Sequence, residues 1–470
     1  MLNTLLRGAG DQIALAIEHA RERKARVLVT LSGSIAPPED LLGLVQHAGS
    51  AERYCFLWER PEDRFAIAAL GATATFSAHG AGRFAQIAAA CGSILDDSVA
   101  DAASKAIGAP FFVGGFAFAP DPPKEEPWGD FPAALMVLPR LLIVRRDQSA
   151  TLTATCIVDE SSDCSGILRR LESDLEDMQR SAVCPRPEPS SDPTSVRYEA
   201  APTLPLPQWK QAVADTVDDI TRGRLDKLVL ARCCTVASNR LFDCEPVLRH
   251  LRKTYPSCVL FWIGTPHGDF LGATPEPLVR VKGRAISTAA IAGSTAPGTS
   301  VADARALAQA LKNSGKDRLE HAVVVRALVD ILAPLCERLD VPLEPQLLRL
   351  DNVQHLITPI AGDLSESHHI LDLVDRLHPS PAVAGHPRAV ALQLLPQREA
   401  LNRGWYAGPI GWMDAHRDGE FAVAIRSALV RGSEASLYAG AGIVAGSDPE
   451  TELGETRLKM QPLLSALMEL

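Results

Sequence analysis

Short apolar runs that are typical of β-strands recur along this chain, and helical stretches separate some of them. Before residue 184 the runs are ARVLVTL (25–31), YCFLWER (54–60), FAIAALG (65–71), LMVLPRLLIV (135–144) and ATLTATCIV (150–158). After residue 208 they are KLVLARCCTV (227–236), CVLFWIG (258–264), DFLGAT (269–274), FAVAIRSALV (421–430) and ASLYAGAGIV (435–444). Strands that are joined both by tight turns and by helices predict a mixed α/β or α+β fold.

A segment rich in proline, serine, aspartate and threonine divides the chain between Cys184 and Gln208. This composition favours an extended or turning connection over a buried element. We therefore predict an N-terminal half (1–184), a linker (185–207) and a C-terminal half (208–470). Since the linker is expected to follow the surface of one large globule, the two halves need not fold independently.

The composition argues against several classes of partner. The chain has 47 Lys and Arg against 57 Asp and Glu, a net charge of −10, so general binding to nucleic acid or to an anionic membrane is not expected. The most apolar run, Ala133 to Val144, is too short to span a membrane and contains Pro139 and Arg140. No signal peptide is recognisable, and the ten cysteines are expected to be buried, reduced thiols. These features predict a cytoplasmic protein.

The C-terminal segment places three charged side chains on one face of a predicted helix that begins near Glu450. Glu452, Glu455 and Lys459 are three and then four residues apart, which brings them onto one face. The neighbouring stripe of leucines is expected to pack inward, so the charged residues lie beside the buried face. A solvated face held by salt bridges is the alternative interpretation.

A third candidate acid, Glu320, lies in KDRLEH within a helical region predicted over 302–339, with an interruption near Pro334. Together with the two glutamates of the closing helix it would offer a hard cation the oxygen ligands that magnesium prefers. Spacing alone does not bring these acids together. The alternative is a surface carboxylate paired with Arg318 or Lys316.

Two residues in the first part of the C-terminal half are candidates for acid–base chemistry. Lys227 opens a predicted strand, and the alternation of that strand places it on an apolar face. Loss of solvation on such a face would favour the neutral, basic form of the amine, whereas a lysine that simply reaches solvent is the alternative. Glu276 lies between Pro275 and Pro277, whose rings restrict the backbone and could aim the carboxyl group. An exposed turn glutamate is the simpler interpretation.

Two features near the end of the chain suit an anionic ligand. Arg426 is predicted in the middle of the strand FAVAIRSALV, where small alanine neighbours leave space for a carboxylate to bind its guanidinium. A structural ion pair is an equally good interpretation. In LYAGAGIV, Gly440 and Gly442 would allow backbone N–H groups to approach an anion, or would merely allow close packing.

The sequence contexts of these candidates, in this order, resemble the chorismate-utilising enzymes. That family includes isochorismate synthases, salicylate synthases and the large subunits of anthranilate and aminodeoxychorismate synthases. The resemblance covers about Pro207 to Leu470 and is carried by KLVLAR, GATPEPL, IAGS, KDRLEH, VQHL, LHPSPAVAGHP, RGWYAGPIGW, AIRSALV, LYAGAGIV and ELGETRLKM. The first half is more distantly similar, through GGFAF and FPAALMVLPRLLIVRR. These phrases look more like isochorismate synthases of the menaquinone type than those of siderophore pathways.

The resemblance implies an α+β fold in which packed β-sheets are covered by helices and the active site lies in a cleft. It implies chorismate as substrate, Mg²⁺ as cofactor, and a monomer or weak homodimer. By position, Lys227 would activate water and Glu276 would protonate the departing hydroxyl. Glu320 and Glu455 would bind the metal with Glu452 beside them. The implied substrate-binding positions are Gly293, Ser294, His378, Tyr406, Arg426, Gly440, Gly442 and Lys459. His386, in AGHP, departs from the family pattern.

The implied reaction is the conversion of chorismate to isochorismate, with water added at C2 and the C4 hydroxyl lost. Lys227 favours water over ammonia as the nucleophile. A salicylate synthase, which goes on to eliminate pyruvate, and a non-catalytic chorismate-binding protein are the alternatives, although a binding protein would not need both Lys227 and Glu276. The product would feed menaquinone, siderophore or salicylate synthesis.

Overall fold

The computed structural model describes residues 5–6, 8–49, 54–129, 131–183 and 196–468. Its helices are α1 Ala9–Arg23, α2 Leu41–Gly49, α3 Arg83–Asp96, α4 Ala102–Ile107, α5 Cys164–Val183, α6 Leu206–Thr221, α7 Cys244–Thr254, α8 Val301–Asn313, α9 Gly315–Leu332, α10 Ile370–Leu377, α11 Arg388–Glu399 and α12 Pro449–Met468. Its strands are β1 Val27–Ile35, β2 Cys55–Arg60, β3 Phe65–Ala78, β4 Ser98–Ala100, β5 Phe111–Phe116, β6 Ala134–Arg146, β7 Ser149–Val158, β8 Tyr198–Pro202, β9 Lys227–Ser238, β10 Val259–Thr265, β11 Gly268–Thr274, β12 Pro277–Lys282, β13 Ala285–Thr295, β14 Cys336–Asp340, β15 Gln346–Arg349, β16 Gln354–Leu364, β17 Gly385–His386, β18 Pro409–Asp414, β19 Gly419–Val423, β20 Ser427–Arg431 and β21 Glu434–Ile443.

The strands form one continuously paired system that both halves of the chain share. The pairings of the described strands are antiparallel, apart from the short parallel pairing of β1 with β4. Strand β2 of the first half pairs with β10 of the second, with Phe56 opposite Ile263. Strand β5 likewise pairs with β18, with Val113 opposite Trp412. The two halves are therefore joined by backbone hydrogen bonds.

Helices cover these strands and bury their apolar faces against them. Trp209 of α6 and Leu453 of α12 are fully buried, and both belong to a hydrophobic cluster that also contains side chains of the first half. The predicted α+β fold, with sheets covered by helices, is confirmed, as is a closing helix near Glu450. No helix within the described ranges is long and apolar enough to cross a membrane. The nine cysteines of the described residues are free thiols.

The predicted interruption of the helical region 302–339 near Pro334 is confirmed, because α9 ends at Leu332. The prediction is wrong elsewhere: the region before the interruption consists of two helices, α8 and α9, and the part beyond it forms strand β14. The break between α8 and α9 occurs at Ser314, whose backbone is extended and whose side chain accepts a hydrogen bond from the amide of Asp317. A serine in this position caps a new helix, so α9 starts afresh with its own direction. The direction of α9 brings Glu320 to the site described below.

Part of the predicted linker belongs to the sheet. Strand β8 pairs with β9, with Tyr198 opposite Ser238, and helix α6 already begins at Leu206. The burial of β8 is slight: Tyr198 is half-buried and the other four residues are exposed. The remainder of the proline-rich segment, 184–195, lies outside the described residues.

The prediction of a single strand over 421–430 is also wrong. The chain leaves β19 at Val423 and enters β20 at Ser427, because β19 pairs with β12 and β18 whereas β20 pairs with β11 and β21. Between them the amide of Ala424 donates to the carbonyl of Gly408. Arg426 adopts a left-handed backbone with φ 51°. The chain therefore kinks where it leaves one pair of neighbouring strands for another. The alternation of side chains in the sequence does not predict this kink.

Candidate active site

A cavity with about 670 Å³ of empty space, part of it open to solvent, lies where β9, β13 and β21 face helices α9 and α12. Most of the residues predicted for the site line it, namely Glu276, Gly293, Ser294, Glu320, Tyr406, Arg426, Gly440, Gly442, Glu455 and Lys459. Apolar lining is contributed by Val229, Ile291, Ala382, Val383 and Ile425.

Glu276 is a buried acid in the wall of this cavity. Only 6% of the residue is exposed, so the interpretation as an exposed turn glutamate is wrong. Its amide donates to the Oγ1 of Thr274, and its carbonyl accepts from the amide of Val423, which fixes the Pro-Glu-Pro segment between two strands. Burial raises the pKa of Glu276 to about 7, although Lys227 and other nearby cations act in the opposite direction. A substantial fraction of the carboxyl group is therefore protonated at neutral pH, as a general acid needs to be.

Lys227 is 1% exposed, so it does not reach solvent. Its Nζ lies 3.0 Å from Oε1 of Glu320, which projects from α9 across the end of β9. Gly442 on the adjacent strand makes this contact possible. A Cβ at that position would overlap the carboxylate of Glu320 and lie 3.0 Å from Cε of Lys227. Gly442 therefore provides space for the buried ion pair of Lys227 and Glu320, a role that the sequence did not indicate.

Each glutamate predicted to bind metal is paired with a lysine. Besides Glu320, Glu455 contacts Nζ of Lys459 at 2.5 Å, and Glu452 contacts Nζ of Lys316 at 2.5 Å. Glu452 is fully buried and does not line the cavity, and its Oε2 makes no well-formed hydrogen bond within the described part of the chain. Burial, together with repulsion from Glu455, raises the pKa of Glu452. The interpretation of this helix face as solvated is wrong.

These carboxylates suit a magnesium ion in their chemistry. As they stand, no three acidic, histidine or cysteine side chains of the described residues converge to hold a metal. Magnesium, however, usually retains several waters and takes only one or two protein carboxylates together with ligand oxygens. Glu320 and Glu455 both line the cavity. The buried Oε2 of Glu452, which lacks a well-formed hydrogen bond among the described residues, is the kind of group that a nearby cation would stabilise.

Arg426 presents a buried cation to the cavity. Burial lowers its pKa, but a guanidinium remains protonated at neutral pH. Within the described residues its guanidinium forms no ion pair, and its Nη2 instead donates to Nε2 of His355 at 3.1 Å. The interpretation as a structural ion pair is therefore wrong. A left-handed backbone at a non-glycine residue is costly and tends to persist at functional sites, which fits a cation held ready for an anion.

His355, from VQHL, was not singled out as a candidate, yet it lies in the cavity wall on β16. Burial, with Arg426 and Lys459 as further causes, places the pKa of His355 well below its usual range, so the ring is neutral. Since Arg426 can only donate, Nε2 of the ring is the acceptor, and Nδ1 donates to Oγ of Ser294 at 3.0 Å. The hydroxyl of Ser294 can then donate its own proton into the cavity. The histidine thus connects two predicted ligand-binding residues.

Tyr406 and Gly440 form another part of the wall. The ring of Tyr406 stacks on Tyr438 with 5.1 Å between centroids. A Cβ at Gly440 would lie 3.2 Å from the hydroxyl of Tyr406. Nζ of Lys459 donates to the carbonyl of Gly440 at 2.9 Å as well as pairing with Glu455. The lysine is therefore anchored by the strand and the helix together.

Two histidines that the sequence analysis named lie away from the cavity. His378 is buried in the core, where its Nε2 bonds to the carbonyl of Phe118 and its ring meets Phe84 and Phe118 edge-on. It is not among the lining residues, in contrast to the prediction. The backbone of His386 pairs with Lys227, but its ring turns outward towards Asp226.

The whole chain is similar to proteins of one family. A family model described as "Chorismate binding enzyme" matches residues 15–468. The salicylate biosynthesis isochorismate synthase of Pseudomonas aeruginosa is 36% identical over 464 residues, which are 98% of this chain and 94% of that protein. The isochorismate synthase MenF of Bacillus subtilis is 31% identical over 480 residues and 99% of both chains. The structure of the menaquinone-specific isochorismate synthase MenF from Escherichia coli matches with a TM-score of 0.77 and 26% identity, over 97% of this chain and 100% of that chain.

Proposed function

Because the chain belongs to the family of chorismate-binding enzymes, we propose that it is an isochorismate synthase, which converts chorismate to isochorismate. One observation carries the proposal. A buried acid, Glu276, whose pKa is raised by burial to about 7, lines the same cavity as the guanidinium of Arg426 and as Glu320, which the buried amine of Lys227 contacts at 3.0 Å. This combination supplies a proton donor, a proton acceptor and a site for an anion.

The substrate is a dianion, and cations of the cavity are expected to bind its carboxylates. Arg426 has no ion-pair partner among the described residues and can accept one carboxylate in a bidentate manner. Ser294 and Lys459 add donors on the same wall. The apolar side chains of Val229 and Ile291, which line the cavity, are suited to the ring.

In the proposed reaction, water forms a new C–O bond at C2 while the bond between C4 and its hydroxyl breaks and the ring double bonds shift. Glu276 gives its proton to the departing hydroxyl, which leaves as water. Lys227 takes a proton from the incoming water, so the two residues exchange protonation states over one turnover. Lys227 can accept that proton only as a neutral amine, and its ion pair with Glu320 therefore has to weaken first.

We propose that magnesium is required, with Glu320 and Glu455 holding it and Glu452 beside them. Bound there, the ion would compensate the charge of a substrate carboxylate beside three acids. Turnover is then expected to be lost in excess EDTA and restored by MgCl₂. Glu320→Gln and Glu455→Gln should each abolish activity. Full activity in EDTA would remove the metal from the scheme.

The test of the function is identification of the product from chorismate in the presence of MgCl₂. Isochorismate formation exchanges one hydroxyl for another, so chromatography should show a mixture of the two isomers, and the same mixture should form from isochorismate. A lactate dehydrogenase assay run in parallel should detect no stoichiometric pyruvate. Complete conversion to salicylate and pyruvate would instead identify a salicylate synthase. Chorismate binding without turnover would identify a binding protein.

A further inference from the structure

Lys316 is a cation that the proposed chemistry does not use. It lies in the first turn of α9, one helical turn before Glu320, so both side chains share a face. Its Nζ reaches Oε1 of Glu452 at 2.5 Å. The side chain of Glu452 is completely buried, whereas that of Lys316 is 29% exposed. The ammonium thus enters from the surface and ends against a buried carboxylate.

The charge of Lys316 acts on the whole acidic group. It interacts electrostatically with Glu455 and Glu320 as well as with Glu452. The three glutamates already have three lysines, namely Lys227, Lys316 and Lys459, as direct partners. The carboxylates are therefore neutralised one for one before any metal arrives. Of the three lysines, Lys459 lines the cavity and Lys227 reaches Glu320 on its wall, whereas Lys316 is not a lining residue and contacts the buried Glu452.

We propose that Lys316 is an internal counter-ion for Glu452. In the metal-free protein it neutralises this carboxylate instead of a divalent cation, and it competes with that cation for the acidic group formed by Glu320, Glu452 and Glu455. A buried carboxylate without a partner is strongly destabilising, so the pair with Lys316 stabilises the metal-free protein. The same pair weakens metal binding, because an ion that uses Glu452 has to displace or repel the ammonium. Lys316 is thus a positioning residue that sets the metal affinity.

The test is the affinity for Mg²⁺ measured without chorismate, by isothermal titration of the full chain with MgCl₂. Lys316→Met removes the competing charge and keeps the length of the side chain, so the dissociation constant should fall about tenfold. In metal-free buffer the variant should melt several degrees lower than the parent protein, and MgCl₂ should raise its melting temperature by more. Lys316→Arg retains the charge and should change the dissociation constant little.

Lys210→Met is the matched control. Lys210 pairs with Glu450 in the first turn of α12, but Glu450 is exposed and Lys210 is only half-buried. Removing it takes one positive charge from the same region without uncovering a buried acid, so the metal affinity should stay within about twofold of the parent value. Where Lys316→Met does not fold, Lys316→Gln, whose amide can still donate to Glu452, is measured in its place.

An unchanged or weaker affinity in Lys316→Met or Lys316→Gln would overturn the proposal, as would an equal gain in Lys210→Met. Absence of Mg²⁺ binding to both the parent protein and the variants would also overturn it. The inference shares one assumption with the proposed function, namely that the acidic group of Glu320, Glu452 and Glu455 is the metal site. Because the titration contains no substrate, a failure to form isochorismate would leave its result intact, and the two proposals can fail separately.

Discussion

At the scale of the residue, Glu276 shows how position changes the chemistry of a side chain. A carboxyl group in water is ionised at neutral pH, but burial of Glu276 raises its pKa to about 7. The acid is protonated below that value and ionised above it. Since the proposed reaction needs the protonated form, kcat/KM is expected to fall as the pH rises through about 7.

Glu276→Gln tests this assignment. The variant should lose on the order of 10²–10⁴ in kcat, and the remaining activity should no longer decline above pH 7. Asp414 supplies the control, because burial raises its pKa to about 6 although it lies outside the cavity. Asp414→Asn should keep the alkaline decline. An unaltered pH profile in Glu276→Gln would exclude it as the acid.

His355 provides the second test at this scale. Replacing it by phenylalanine would leave Nη2 of Arg426 and Oγ of Ser294 without their shared partner. Loss of these buried hydrogen bonds should reduce kcat/KM about tenfold or more, chiefly through KM, since Arg426 is proposed to bind the substrate. Steady-state kinetics against Ser294→Ala, which breaks only one of the contacts, should show a smaller effect. Equal KM values in His355→Phe and the parent protein would show that the histidine does not orient the arginine.

At the scale of the element, Gly442 on β21 lies against Glu320 of α9 and Lys227 of β9. A methyl group in Gly442→Ala would overlap the carboxylate of Glu320 and crowd Lys227. Activity is expected to fall by at least about 100-fold, while the cost of overpacking to stability should be about 1–3 kcal/mol. Gly454→Ala on α12 has open space around its Cβ and should leave activity unchanged. Parallel assays and thermal melts of both variants would decide, and a fully active Gly442→Ala would contradict the described packing.

The elements near the site were predictable to different degrees. The spacing of Glu452, Glu455 and Lys459 defined one helix face correctly, because helical periodicity is a local property. The kink at Arg426 was not predictable from alternation, since it arises where the chain exchanges one pair of neighbouring strands for another. Alternation placed Lys227 on an apolar face but did not decide between a buried amine and one that reaches solvent, because its partner Glu320 comes from a helix far along the chain.

At the scale of the whole molecule, the sequence indicated the class of fold but not how its halves meet. Runs of alternating and apolar residues predict that strands exist, whereas the pairing of β2 with β10 and of β5 with β18 depends on contacts between residues far apart in sequence. His378 shows the same limit. Its motif suggested the pocket, but the sheet places its ring in the core against Phe118.

The central claim, that water adds to C2 while the C4 hydroxyl departs, is tested most directly by isotope labelling. The reaction is run with chorismate and MgCl₂ in water enriched in ¹⁸O and stopped early, before appreciable return to chorismate. Mass spectrometry of the isochorismate should show one ¹⁸O atom per molecule, located on the C2 hydroxyl. Isochorismate that carries no label would mean that the original hydroxyl migrates within the substrate, and would contradict the roles proposed for Lys227 and Glu276.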